Sequence, residues 1–179
     1  MKTTISLREI LAIDRKLNSF SSYMVLYCYR VAHHLYLKKS PLAKLWGGVK
    51  YLIYSFLRLD AQISEKAQIG KNIRLLHKGA GVVISSKAII GNGVTIFHQV
   101  TVGINENIPE EQQSIYIGDN CYLSAGSKII SCHVGINSKI GPNAIVWKNV
   151  PANSLVVGQS IYKNEYYTFE KGKEKSINY

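Results

Sequence analysis

At 179 residues the chain suits one compact domain, or a small domain with an appendage. Its 22 Lys and Arg against 11 Asp and Glu give a net charge of +11, which permits nucleic acid, an anionic membrane surface or a phosphorylated small molecule as partner. Cys28, Cys121 and Cys132 lack zinc-ligand spacing, no RNA-binding signature is present, and no apolar stretch is long enough to span a bilayer. Neither a metal nor a nucleic-acid partner is therefore expected. The three cysteines read as reduced thiols of a cytoplasmic protein. Met1-Lys2-Thr3-Thr4 runs into charged Arg8-Glu9 without the apolar core of a signal peptide.

The first 60 residues predict a helical region of three segments. Residues 3–19 carry Thr3 or Thr4 as cap and Leu7, Ile10, Leu11 and Leu17 as apolar face. Residues 20–37 form an aromatic-rich helix with Phe20, Tyr23, Tyr27, Tyr29 and Tyr36, and Lys38-Lys39-Ser40-Pro41 breaks it. A third helix covers 42–59, where Leu42, Leu45, Trp46, Val49, Leu52, Ile53 and Phe56 recur at steps of three and four. Ten Lys and Arg stand here against three acids. Two readings follow: the helices cap the open end of the domain that comes next, or they also touch an anionic membrane surface. The second would place the protein at the inner face of the membrane.

Residues 61–160 keep a beat of six. The aliphatic positions are Ile63, Ile69 and Leu75; Ile84, Ile90, Ile96 and Val102; Ile117, Leu123 and Ile129; and Val134, Ile140 and Val146. Small or β-branched residues such as Ala67, Ala88, Val94, Val100, Ser127, Ser138 and Ala144 follow four places later. A period of six suits a parallel β-helix, in which one aliphatic per short strand stacks on its neighbour in the next coil. Lys71-Asn72, Asn92-Gly93, Asp119-Asn120 and Pro142-Asn143 supply corners where Asn or Gly takes a positive φ. A β-sandwich would have to place these aliphatics in phase by chance. Two excursions break the beat, 76–83 and 104–116, and insertions of this kind project from a solenoid and tend to carry function. Residues 161–179 form a C-terminal tail.

His77 stands in the first excursion, and His98 lies one coil on. A lone histidine in such a sheet usually bonds a neighbouring backbone group. This one sits on a glycine-bracketed loop (Gly79, Gly81) beside a second histidine, in a chain with no other nucleophile and base set. Imidazole is well suited to take a proton from a hydroxyl near neutral pH. Ser124-Ala125-Gly126 and Asn143-Ala144 form a narrow small-residue slot on one edge, and Lys128, Lys139 and Lys148 stand near it in sequence.

The run from Ile69-Gly70-Lys71-Asn72 through Leu75-Leu76-His77-Lys78-Gly79 resembles the serine acetyltransferase branch of the hexapeptide-repeat acyltransferases. Ile90-Gly91-Asn92-Gly93 through His98 to Gly103, Ile117-Gly118-Asp119-Asn120 and Ile140-Gly141-Pro142-Asn143 continue the likeness. The resemblance implies a mainly β protein, a left-handed parallel β-helix that assembles as a homotrimer with acetyl-CoA in the groove between subunits. His77 matches the catalytic base, and Gln62, with Asp60 two residues earlier, falls where the family orients that base. One of the two is expected within hydrogen-bond reach of His77. His98 and Gly79 are expected at the acceptor, a backbone N–H near Gly103 at the oxyanion, and Lys148 with the small-residue slot at the cofactor. Leu76 stands where serine-using members have an aspartate, Gln112-Gln113-Ser114 where they have a second histidine, and the helical region is short. These departures resemble capsule, exopolysaccharide and lipopolysaccharide O-acetyltransferases. The expected acceptor is then a sugar or glycan hydroxyl, in polysaccharide biosynthesis. Serine O-acetylation is the alternative, and a non-catalytic β-helix scaffold is a third reading.

Overall fold

The structure, a computed structural model, describes residues 6–158; the predicted tail 161–179 and Thr3 and Thr4 lie outside it. Helix α1 (Leu7–Leu17) starts at Ser6, which caps it. The Ser6 side chain accepts from the Glu9 backbone N–H, and the Glu9 carboxylate accepts from the Ser6 N–H at 2.8 Å. That reciprocal pair satisfies two of the donors a helix start leaves free. Helix α2 (Phe20–Leu37) is capped by Ser19, and α3 (Leu42–Leu57) ends on Arg58 in the left-handed region.

Fourteen short parallel strands follow among the described residues, from Gln62–Ile63 to Leu155–Val156, in three sheets of five, four and five. Face one stacks Gln62–Ile63, Val83–Ile84, Thr101–Gly103, Lys128–Ile130 and Ile145–Val146. Face two stacks Gln68–Ile69, Ala88–Ile90, Ile115–Ile117 and His133–Val134. Face three stacks Arg74–Leu75, Thr95–Ile96, Tyr122–Leu123, Lys139–Ile140 and Leu155–Val156. The chain visits the faces in turn, so each coil pairs with the next in register, Ile84 beside Val102 and Leu123 beside Ile140. The result is the expected left-handed parallel β-helix.

Every aliphatic of the six-residue beat is buried, and these side chains form one continuous core. The small residues four places later occupy the inner corners, where little room remains; Ala67, Val94, Val100, Ser127, Ser138 and Ala144 have no exposed surface. Asn72, Gly93, Asn120 and Asn143 take φ between 55° and 68°, as the corner reading requires. Between Ile129 and Val134 the step is five, and Ser131 turns the shortened corner at φ 45°.

A β-helix ends in a coil whose carbonyls have no further coil to bond, and a buried carbonyl without a donor is costly. Side chains from α2 and the turn that precedes it fill that role. The Tyr29 hydroxyl donates to Ala67 O at 2.8 Å, and Arg30 donates to Ile69 O at 2.6 Å and Gly70 O at 2.7 Å. Asn18 donates to Ile73 O and accepts from the Leu75 N–H. Arg30 also pairs with Asp14 at 2.9 Å, both buried. Burial pushes the Asp14 carboxyl above its ordinary range, and the Arg30 guanidinium pulls it back. The helical region therefore caps the prism, through α2 above all. Helix α3 differs: none of its residues is buried.

Candidate functional site

The edge leaving face three collects most of the predicted site. Its successive corners are residues 76–82, 97–100, 124–127 and 141–144. His77 opens a short 3-10 turn (His77–Gly79) in which His77 and Lys78 both take positive φ, 51° and 61°. Non-glycine residues seldom sit there, though His is among the more tolerant. Gly79 follows at φ 64°, and a Cβ on it would lie 2.7 Å from the Leu75 side chain. That contact explains the glycine: the turn doubles back over the core and has no space for a methyl. The turn thus holds the His77 ring out at the corner, exposed to solvent.

His98 comes to the same place from the next coil. The two imidazoles meet edge to face with centroids 4.9 Å apart, and Phe97 lies 5.7 Å from the His77 ring. Tyr122 continues the column, 5.1 Å from Phe97. Nδ1 of His98 is buried and has no hydrogen-bond partner among the described residues. An orphaned buried polar atom costs free energy, so this nitrogen is a point where water, a ligand or a neighbouring chain can complete the bonding. Sequence reasoning passed over Phe97 and Tyr122. They flank beat residues Ile96 and Leu123 on the outward side, and an aromatic in that slot beside His98 was the available signal.

Beyond the histidines the edge narrows. Ser124 and Ala125 are half-buried at the surface, and the corners are laced together by Gly126 N–H to His98 O and Asn143 N–H to Ala125 O. Gly126, at φ 70°, is buried, and a Cβ there would collide with Asn143 Oδ1. The predicted slot needs correction at two positions. Ala144 points into the core and cannot line an outer surface, and Gly126 lies under Asn143.

Two further expectations are not met within one chain. No hydrogen bond among the described residues joins His77 to Asp60 or Gln62. Gln62 stands on the outer side of face one, where it lines a cleft of about 630 Å³ against α3 with Lys50, Tyr51 and Tyr54. Asp60 is exposed in the turn between α3 and face one. Both stand at a suitable distance in sequence, but the end of face one and the corner after face three are different parts of the coil. Gly103 and Lys148 lie on the next edge, the one leaving face one, so the single chain does not bring them to His77.

That second edge also carries the long excursion. Residues 104–114 leave it between Gly103 and Ile115, and Lys87 on the preceding coil ties the loop down through Glu110 at 2.9 Å and Gln113 at 3.0 Å. The pairing with Lys87 holds the Glu110 carboxyl below its usual range. Cys121 and Cys132 are inner-corner residues, and their thiols donate to Gly135 O and Val146 O. Burial pushes the Cys132 thiol up to about 12 and raises Cys121 as well, so neither presents a thiolate near neutral pH. Among the described residues no group of three or more His, Cys, Asp or Glu could hold a metal.

Short parallel strands, a six-residue beat and three flat faces define a left-handed hexapeptide-repeat β-helix. No family model matches the chain. Its likeness is to serine acetyltransferases: that of Staphylococcus xylosus is 33% identical over 144 residues, 79% of this chain and 63% of the relative. Serine acetyltransferase 2 of Arabidopsis thaliana is 35% identical over 145 residues, covering 76% of this chain and 41% of the relative. Soybean serine acetyltransferase complexed with serine superposes with a TM-score of 0.66 at 30% identity, over 79% of this chain and 56% of that one. The chain spans between two fifths and two thirds of the length of these relatives. The likeness corrects the expected branch: it points to serine acetyltransferases rather than to capsule O-acetyltransferases.

Proposed function

We propose that the protein is an acetyl-CoA-dependent O-acetyltransferase whose acceptor is serine. The observation that carries the reading is the exposed His77 imidazole, packed against His98 at the head of a small-residue edge. Serine acetyltransferases supply the relatives, and one of the superposed structures holds serine. The acceptor oxygen attacks the thioester carbonyl carbon while His77 takes its proton. The tetrahedral oxyanion then collapses, the carbon–sulfur bond breaks, and the proton passes to the departing thiolate of CoA. A thioester has a good leaving group, so no covalent enzyme intermediate is needed. A placed base contributes about 10²–10⁴-fold. Ser124 and Ala125 leave room along the edge for the pantetheine arm.

A homotrimer forms part of this proposal. Cyclic assembly would set the His77 edge of one subunit against the Gly103 and Lys148 edge of the next, which reunites residues that one chain keeps apart. The oxyanion donor and the phosphate charge would then come from the neighbour.

One observation favours a second acceptor. Between Lys66 and Asn105 the chain has no Asp or Glu, so these coils offer no carboxylate to a serine ammonium group. That composition suits an uncharged hydroxyl, such as that of a sugar. Release of CoA from acetyl-CoA, followed with a thiol reagent in the presence of serine, a sugar or neither, separates the readings. Serine-dependent release supports the proposal, and sugar-dependent release moves the acceptor to the second reading. Absence of release with either leaves a scaffold.

A further inference from the structure

Helix α3 has two apolar faces and uses one. Trp46, Ile53, Tyr54 and Leu57 turn inward and are half-buried, with Trp46 Nε1 donating to Cys28 O at 3.2 Å. Leu42, Leu45, Val49, Leu52 and Phe56, spaced at alternating steps of three and four, form a second stripe along the whole helix. Leu45 is 69% exposed, Leu52 66% and Phe56 87%. Tyr51 beside them is exposed, as are Tyr36 and Leu37 at the end of α2. A contiguous exposed apolar surface of this kind marks an interaction site.

The charge around it selects the partner. From Arg15 to Arg58 the chain has no acidic residue, and Lys38, Lys39, Lys44 and Arg58, all exposed, flank the stripe. A second copy stacked on the same helix would bring two basic surfaces together, which opposes association. An anionic lipid surface answers both features, with acyl chains for the stripe and headgroups for the lysines. No helix among the described residues is long and apolar enough to cross a bilayer. We infer that α3 lies in the plane of an anionic membrane surface, with Leu45, Val49, Leu52 and Phe56 in its apolar layer and Lys38, Lys39 and Lys44 at the headgroups. This docking is independent of the acetyl-transfer reading.

Co-sedimentation of the full chain with vesicles tests it, using phosphatidylcholine alone against phosphatidylcholine mixed with phosphatidylglycerol. The protein should pellet with the anionic vesicles only, and less as salt is raised. The double variant Leu45→Glu with Phe56→Glu should lower the bound fraction by at least about tenfold. The triple variant Lys38→Ala, Lys39→Ala, Lys44→Ala, which leaves the stripe intact, should lower it by about tenfold or more. Failure of the wild-type protein to pellet with anionic vesicles overturns the inference, as does undiminished binding by either variant. A change of oligomeric state in the Leu45→Glu, Phe56→Glu variant also overturns it, because a second copy would then be what covers the stripe.

Discussion

The prism and helix α3 carry equally regular apolar patterns, yet one pattern is wholly buried and the other half exposed. In the prism, Ile63 through Val146 all face inward because the partner of each aliphatic is the same position one coil later, supplied by the chain itself. In α3 the stripe from Leu42 to Phe56 is just as periodic, but among the described residues no element lies against it. Periodicity reports that a face is apolar. Only a repeating architecture also says what covers it.

The comparison breaks or sharpens under substitution. The largest effect is expected where α1 and α2 meet the prism. Asp14→Ala strips the buried Arg30 of its counter-ion while Arg30 still bonds the first coil, and should cost about 3–5 kcal/mol in denaturant unfolding. Leu123→Ala, in the middle of the face-three stack, should cost about 2–5 kcal/mol by the same measurement. Leu45→Ala, in an equally good apolar stripe, should shift stability by no more than about 0.5 kcal/mol in the absence of lipid. A loss comparable to that of Leu123→Ala would show that α3 is covered in solution. Smallest of all, Cys121→Ser and Cys132→Ser should leave turnover intact in the CoA-release assay, since both thiols are held protonated in inner corners. Native-state alkylation followed by mass spectrometry should likewise find Cys121 and Cys132 unmodified.

Much of the fold was legible in the sequence because the β-helix repeats one rule. The beat named the core, the Asn and Gly positions named the corners, and the glycine-bracketed excursion named the place of His77. Helix α2 was legible from its aromatic periodicity to the residue, whereas the start of α1 was missed because Ser6 and Glu9 form the reciprocal cap and Thr3 and Thr4 precede it. The site was legible only along one edge. His77, His98 and Ala125 share a corner column because each lies two places after a paired beat residue, Leu75, Ile96 and Leu123, and Ser124 adjoins it. Gln62, Gly103 and Lys148 sit at other phases, and linear spacing does not show on which edge of the coil a residue falls. Ala144 was misjudged for a related reason: small residues mark inner corners as well as open slots, and the two differ only in the direction of Cβ.

The central claim is that His77 is the base of acetyl transfer, and replacement of its imidazole is the most direct test. His77→Asn suits the position, because Asn tolerates the φ of 51° that the turn imposes. With acetyl-CoA and serine, the wild-type protein should release CoA. The variant should do so with kcat lower by at least about a hundredfold and with CoA affinity little changed. Near-full turnover by the folded variant would contradict the account.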